Sequence, residues 1–536
     1  MKRITRSLLT LFAVVLGLSA TGQTRFINKV FTKGQIMVES DVIYGINWQE
    51  YAPSSIGGPQ LLPLQCDIYY PDTAVDYFKD RPVVVYLHTG SFLPKGLVSP
   101  MGDRKDSAAV TFCRELAMRG YVAVSASYRV GWLANSTNLD LRRGTNLLAV
   151  YKSIQDAKTA VRFLHKSVLV DGNPFQIDPD NVIILGQGSG GYTALAYGTV
   201  DKYGEVANIP RFQYQASGTG IVGKPVQAGD PYVDTAVVGD WDGYGGAVTL
   251  TGGTTPLGLP EVDTSADGRN FENYKGLPDD VLMTINLGGA LGDSTWLEAG
   301  DIPMASVHCR FDFYAPYYKG MVQVPVGGTF FPVVEVAGSH TAIKKADQYG
   351  NNSIFVNANY QDAISVKARN NVYNLGNLEG ILTFNIMPPN PNIPWEVNSN
   401  PWDFWDPNDP LGANETNPNN KAQSLAYIDT VLRYITPRMA DVLAANGVAV
   451  GIDENAPITG LKMFPNPASD RVMIEVAGSE NPIRKVTILD LTGRVISEIE
   501  TDRRQVEIDL MHIPAGLYMV RIDVDGKSNI RKLMVD

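Results

Sequence analysis

The sequence predicts an α/β protein: a doubly wound, mostly parallel sheet with lid-like insertions, followed by a small antiparallel β-sandwich. Three observations predict it. Strand and helix patterns alternate between about residues 60 and 200. That regularity lapses near 205–275 and again near 345–420, where turn-forming residues accumulate. Beyond residue 460 the pattern becomes one of short alternating strands with no helix between them. Strands separated by helices imply βαβ units, whereas closely spaced alternating strands imply a sandwich.

The elements follow in order. Lys2, Arg3 and Arg6 precede "LLTLFAVVLGLSA" and the small residues of "SATGQ", which predicts an export signal over 1–22. Its apolar run is about 13 residues, short of the ~20 that span a bilayer, and no later run is long enough, so no transmembrane segment is expected in the mature chain. "LPLQCDIYYP" reads as a strand with an exit turn. "RPVVVYLHTG" is a continuous apolar run ending in glycine, the pattern of a buried parallel strand. "AAVTFCRELAMRG" has helical spacing and a glycine stop, "YVAVSASYR" is the next strand, and "NLLAVYKSIQDAKTAVRFLHKS" is a long amphipathic helix. "DPDNVIILG" is again a strand. After the first insertion, "VLMTINLGGAL", "IPMASVHCRFD" and "FPVVEVAGSH" are three further strand candidates. "AQSLAYIDTVLRYITPRMADVLAAN" is the last helix of a main domain over 23–450. A linker follows at 451–460, then the sandwich at 461–536.

Bulk properties narrow the function classes. The 536 residues are 44 % hydrophobic and 19 % charged, a globular composition. A net charge of −11 implies no basic surface, so nucleic acid is not an expected partner. Cys66, Cys113 and Cys309 have no metal-ligand spacing and read as small buried hydrophobes. No cofactor is expected.

"VIILGQGSGGYT" at 182–193 carries the main question. A strand enters a glycine-dense turn with one serine, close to G-x-S-x-G but displaced by one position. With the strand register kept, Gly186 and Gly190 are the flanking glycines and Gly188 holds the nucleophile position, where there is no side chain to attack a carbonyl. Glycine does suit the left-handed backbone of such a turn. A one-residue slip would instead make Ser189 the nucleophile and put Gln187 two residues before it, where the turn normally demands a small residue.

Two resemblances add to this reading. "FPNPASD", "ILDLTGRV", "IPAGLYMVRI" and the terminal "RKLMVD" resemble, in order, the type A sorting domain of the Bacteroidetes type IX secretion system. That resemblance implies passage through the periplasm, engagement of the type IX machinery, and release or attachment at the outer surface. "LQCDIYYP", "VVVYLHTGSF", "VSASYRVGW", "DAKTAVRFLHK" and "NVIILGQGSGGYTALAYG" together resemble α/β-hydrolases of the carboxylesterase and hormone-sensitive-lipase type. This implies a small-molecule ester or related ligand. It also implies an oxyanion hole from the backbone of Thr89 or Gly90 and of the residue after the nucleophile. Thr89 stands where the family has glycine, which a β-branched residue tolerates only away from positive φ.

In this fold the triad runs nucleophile, acid, histidine along the chain. Asp312 follows a strand candidate and precedes Pro316, and His340 follows the next. They are the expected acid and base, although a turn cap and a solvated loop histidine are the plainer readings. Of the five histidines, His340 is the best-placed base candidate. The catalytic set under the slip is Ser189, Asp312 and His340. With Gly188 at the tip, an inactive ligand-binding relative is expected. Ser91 is a third hydroxyl without elbow geometry. "DTSADGRNFE" at 263–272 loosely resembles a calcium loop, but Tyr274 stands where the bidentate glutamate belongs. Trp402 and Trp405 would either stack on a ligand or pack a lid onto the core.

Overall fold

The computed structural model describes residues 25–51, 58–76, 78–97, 101–326, 329–396, 398–405, 419–448, 460–476, 482–490, 494–524 and 527–536. The expected export signal and almost all of the expected linker lie outside these residues. The chain divides into two compact units, one of them Arg25–Val450 and the other containing Gly451–Asp536.

The larger unit is built on an eight-stranded sheet. Its strands are β1 (Ile36–Gln49), β2 (Gln60–Pro71), β3 (Arg81–Leu87), β4 (Val122–Ala126), β5 (Ile177–Gln187), β6 (Met283–Leu287), β8 (Met304–Cys309) and β11 (Ile381–Phe384). Between them run β7 (Ala290–Leu291), β9 (Lys319–Val326) and β10 (Thr329–Gly338), which form a separate three-stranded sheet in the order β7-β10-β9. The central order is β1-β2-β4-β3-β5-β6-β8-β11. The first two pairings, β1 with β2 and β2 with β4, are antiparallel and the rest parallel. Parallel strands covered on both faces should be apolar throughout, and β3 is buried at all seven positions. Each fully buried Val or Leu there contributes ~1.5–3 kcal/mol relative to exposure.

Helices α1 (Ser107–Ala117), α2 (Leu139–Leu169), α3 (Ser189–Tyr197), α4 (Ser339–Gln348), α5 (Ser353–Ala358), α6 (Ala363–Arg369) and α7 (Lys421–Ala445) belong to the unit, with two short helices, Tyr203–Ala207 and Thr235–Val238, in the first insertion. Asn138 caps α2 by accepting from the amides of Asp140 and Leu141 at 2.9 and 3.3 Å. The sequence predicts α2 to be amphipathic, yet its charged face is also buried. The reason is the first insertion, which lies over it. Gln155 donates to the Val238 and Asp240 carbonyls at 2.9 and 2.6 Å. Lys158 pairs with Asp242 at 2.6 Å and Arg162 with Asp279 at 2.8 Å.

The second irregular stretch is less of an insertion than its composition predicts. It holds α5, α6 and β11, and β11 completes the sheet by pairing parallel to β8. Four residues of "ILTF" are too short to announce a strand without the neighbour that satisfies their backbone. "FPVVEVAG" is indeed a strand, β10, but it belongs to the smaller sheet and not to the central one. The three cysteines are free and buried. Trp402 and Trp405 are buried, and Trp402 stands 6.5 Å from Phe384 in the core. They pack the loop onto the core.

The smaller unit comprises β12 (Leu461–Phe464), β13 (Arg471–Val476), β14 (Ile483–Leu489), β15 (Val495–Arg503), β16 (Gln505–Asp509), β17 (Gly516–Val524) and β18 (Lys527–Val535). They form two antiparallel sheets, β12-β13-β16 and β15-β14-β17-β18, around one apolar core. The "FPNP" and terminal "RKLMV" segments meet here. Asn466 donates to the Lys532 carbonyl at 2.6 Å and accepts from the Met534 amide at 2.9 Å.

Candidate active site

The strand-to-helix turn after β5 is tight enough to dictate its glycines. A Cβ on Gly186 would lie 1.9 Å from the Gly190 carbonyl oxygen, and one on Gly190 would lie 2.1 Å from that of Leu87. Gly188 is the tip, with φ 55° and ψ −115°. A side chain there is strained by its backbone alone. It is also blocked, because a Cβ on Gly188 would lie 2.1 Å from Thr89 Oγ1 and 3.0 Å from Thr89 Cβ. Ser189 opens α3. Its buried hydroxyl is 2.9 Å from that of Tyr128, which donates to the His88 carbonyl at 2.7 Å. Gln187 is buried; it accepts from the Tyr86 hydroxyl and donates to Asp403 at 2.8 Å.

The segment facing the tip is His88–Phe92. Thr89 has no positive φ, whereas Gly90, Ser91 and Phe92 do, at 128°, 56° and 55°. The His88 ring stacks on Tyr128 at 4.5 Å, and burial lowers its pKa, so it is a neutral structural group. Among the described residues, the backbone amides of Gly90 and Ser189 donate no hydrogen bond. Both residues line a cavity of about 290 Å³, so these amides remain available to an oxygen bound there.

Asp312 lies just past β8 and lines this cavity. One carboxyl oxygen accepts from the amides of Tyr314 and Ala315 at 2.8 and 3.0 Å. Its side chain is only 2 % exposed, and burial pushes its pKa up to about 7. The nearest imidazole is that of His308, 3.6 Å from the other oxygen. His308 faces the Ala315 carbonyl at 2.9 Å and the Ser339 hydroxyl at 2.6 Å. Burial pushes its pKa down to about 4, so this pair is not an ion pair at neutral pH.

His340 is the second residue of α4, past β10 in the smaller sheet. Its Nε2 lies 3.1 Å from the Leu375 carbonyl, and its ring packs on Tyr317 and Tyr318 at 5.6 and 4.9 Å. Burial lowers its pKa. Thus Thr89, Gly90, Gly188, Ser189 and Asp312 share one cavity, while His340 is not among the residues lining it. Neither Ser189 nor Asp312 has His340 as a hydrogen-bond partner.

Past the last central strand, β11, the chain carries no histidine until His512. Ser399, Asn400 and Asp403 from that stretch line the cavity. Asp403 is buried, and desolvation pushes its pKa up to about 7. Sequence reasoning missed Asp403 because "WDFWD" stood out for its tryptophans. It missed Tyr128 because nothing in "SYR" marks a partner for a serine 61 residues away. In the acidic turn at 263–272, Asp263 accepts from the Ser265 amide and hydroxyl at 2.9 and 2.6 Å.

The order of the central sheet, the sharp turn after β5 and the cavity above it define an α/β-hydrolase fold. Residues 66–219 match the family model described as BD-FAE, and residues 462–536 match the secretion system C-terminal sorting domain. The chain therefore joins an esterase-like α/β-hydrolase domain of the BD-FAE type to a type IX sorting domain. It is a secreted or cell-surface protein. Esterase 2 of Thermogutta terrifontis phosphorylated by paraoxon is similar over 53 % of this chain and 75 % of its own, with 16 % identity and a TM-score of 0.26. An inhibited esterase B from Lactobacillus rhamnosis covers 32 % of this chain and 43 % of its own, with 21 % identity and a TM-score of 0.21. PorZ, a surface component of the type IX system of Porphyromonas gingivalis, covers 16 % of this chain and 13 % of its own, with 22 % identity and a TM-score of 0.13. No curated protein matches the sequence. No helix among the described residues is long and apolar enough to cross a membrane.

Proposed function

We propose that this protein is an esterase-like hydrolase domain, exported by the type IX route, that binds a small molecule in its old active-site cavity without serine-dependent hydrolysis. One observation carries this reading. The tip of the elbow has no side chain, and the Thr89 hydroxyl fills the space where one would begin. An acyl-enzyme needs a nucleophile with a base in hydrogen-bond reach. Ser189 has Tyr128 as its partner, and among the described residues no imidazole lines the cavity. The free Gly90 and Ser189 amides fit water or a neutral acceptor oxygen that is held but not attacked.

The competing reading is an active ester hydrolase using Ser189, Asp312 and His340. Ser189 does line the cavity, and that observation keeps the reading in play. Hydrolysis of short p-nitrophenyl esters and labelling by a fluorophosphonate decide between the two, on wild type, Ser189→Ala and Gly188→Ser. No turnover and no label in wild type are expected. Turnover in wild type that Ser189→Ala abolishes would overturn the inactive reading.

A further inference from the structure

Two buried carboxyls line the cavity without a countercharge. Asp312 has the neutral His308 as its nearest basic group, at 3.6 Å, and Asp403 has Gln187. Among the described residues, Arg143 is the one cationic residue in the lining, and it pairs with neither; its Nε donates to the Val333 carbonyl at 2.8 Å. Carboxyls closed off from water are costly unless a partner supplies positive charge or hydrogen bonds.

A second, independent observation points to something bound beside Asp312. The Tyr192 hydroxyl is buried, lines the same cavity and completes no hydrogen bond among the described residues, whereas the Ser399 hydroxyl is turned to Asp312. A buried hydroxyl is normally satisfied, so the one on Tyr192 asks for a ligand or water. The geometry is convergent. A Cβ on Gly288 would lie 3.4 Å from Asn400 Oδ1 and 3.8 Å from Asp312 Oδ2, so both oxygens reach one point in the wall. The same lining also includes the aromatic residues Tyr192, Tyr314, Phe92 and Trp296. Converging acceptor oxygens in a cavity that also has aromatic lining suit an organic cation. A cavity near 290 Å³ holds a one-ring molecule.

We propose that the cavity binds a small arylalkyl or alkyl amine, its ammonium group held by Asp312 and Asn400 and its apolar body lying against the aromatic wall. This rests on the non-hydrolytic reading, since it assigns the ligand of the same cavity. The ammonium supplies three donors to the carboxylate, to Asn400 and to the Ser399 hydroxyl, and it supplies the charge that Asp312 lacks.

The test is calorimetric titration of the full chain at pH 8 with 2-phenylethylamine, 2-phenylethanol and 3-phenylpropionate. The amine is expected to bind at least about tenfold tighter than the alcohol, a difference of ~1.4 kcal/mol, and the carboxylate weakest. Asp312→Asn should erase the preference for amine over alcohol while leaving alcohol binding in place. Should that variant fail to fold, the three-ligand ranking on wild type and a gain for the amine in Asn400→Asp decide the matter. Equal binding of amine and alcohol, preference for the carboxylate, or no binding of any of the three would overturn the assignment. Ester hydrolysis by the same wild-type preparation would overturn the non-hydrolytic reading by itself and leave an observed amine preference standing.

Discussion

Thr89 and Gly188 occupy one space: the Thr89 hydroxyl oxygen lies 2.1 Å from where a Cβ on residue 188 would sit. The two residues are 99 positions apart in sequence and are complementary, a side chain present on one where it is absent on the other. Restoring a serine at the tip therefore needs both positions changed. Gly188→Ser alone should destabilise the protein by ~2–4 kcal/mol, from overpacking against Thr89 and from a side chain at positive φ. Adding Thr89→Gly should recover about half of that. Thermal or urea unfolding of the single and double variants measures it; equal stability of Gly188→Ser and wild type would sink the account.

The double variant should still be inactive, because its serine would have no imidazole beside it. Asn400 is the natural place to supply one, as its side chain converges with Asp312 on Gly288. The triple change Thr89→Gly, Gly188→Ser, Asn400→His is expected to show fluorophosphonate labelling at residue 188 that the double variant lacks. Peptide mapping of the label checks this.

Ser189 is expected to behave as a structural hydroxyl. Ser189→Ala loses the contact with Tyr128 at 2.9 Å and should cost about 1 kcal/mol, the worth of one buried hydrogen bond. Tyr128→Phe should cost a similar amount, and the two losses should be less than additive. A double-mutant cycle by urea unfolding reads the coupling.

Asp403 predicts a pH dependence of stability. Its carboxyl is pushed up to about 7 by burial, from an ordinary value near 4. The folded state holds the proton more tightly than the unfolded one, so stability is fully present below pH 4 and is lost as pH rises through 7. Asp403→Asn keeps an acceptor for Gln187 and removes the titration. Its unfolding free energy relative to wild type should rise between pH 4 and 8 by on the order of 4 kcal/mol. A flat difference across that range would contradict the assignment.

His340 is predicted to support structure from outside the cavity. His340→Ala removes the packing on Tyr317 and Tyr318 and the bond to the Leu375 carbonyl. A loss of ~1–3 kcal/mol in stability is expected, with ligand binding in the cavity unchanged. Calorimetric titration of the variant that showed lost binding would return His340 to the site.

Much of the main domain was legible because its cause is local. "VVVYL" and "VIIL" are apolar at every position, and only a strand covered on both faces gives that pattern. The glycines at 186, 188 and 190 are readable in the sequence, and each is required by how closely that turn folds on itself. The motifs "FPNP" and "RKLMV" were readable in order without knowing that Asn466 ties the first to the second. His340 was harder, because "VVEVAGSH" has the composition of a strand end whichever sheet the strand joins. Sheet membership depends on which neighbour offers free backbone groups, and β10 finds β7 and β9.

By itself, then, the sequence determined the layered α/β class, the missing side chain at position 188 and the export-sorting tail, each written in a contiguous run of residues. Only the tertiary structure decided what stands in that gap and what faces it. Thr89, Ser399, Asn400 and Asp403 come from loops far from Gly188 in the chain, and loops meet through packing and backbone hydrogen bonding that no local pattern encodes. The two carboxyls without a countercharge belong to that second kind of fact. Burial is a property of the assembled cavity, and it is burial that changes what Asp312 and Asp403 do.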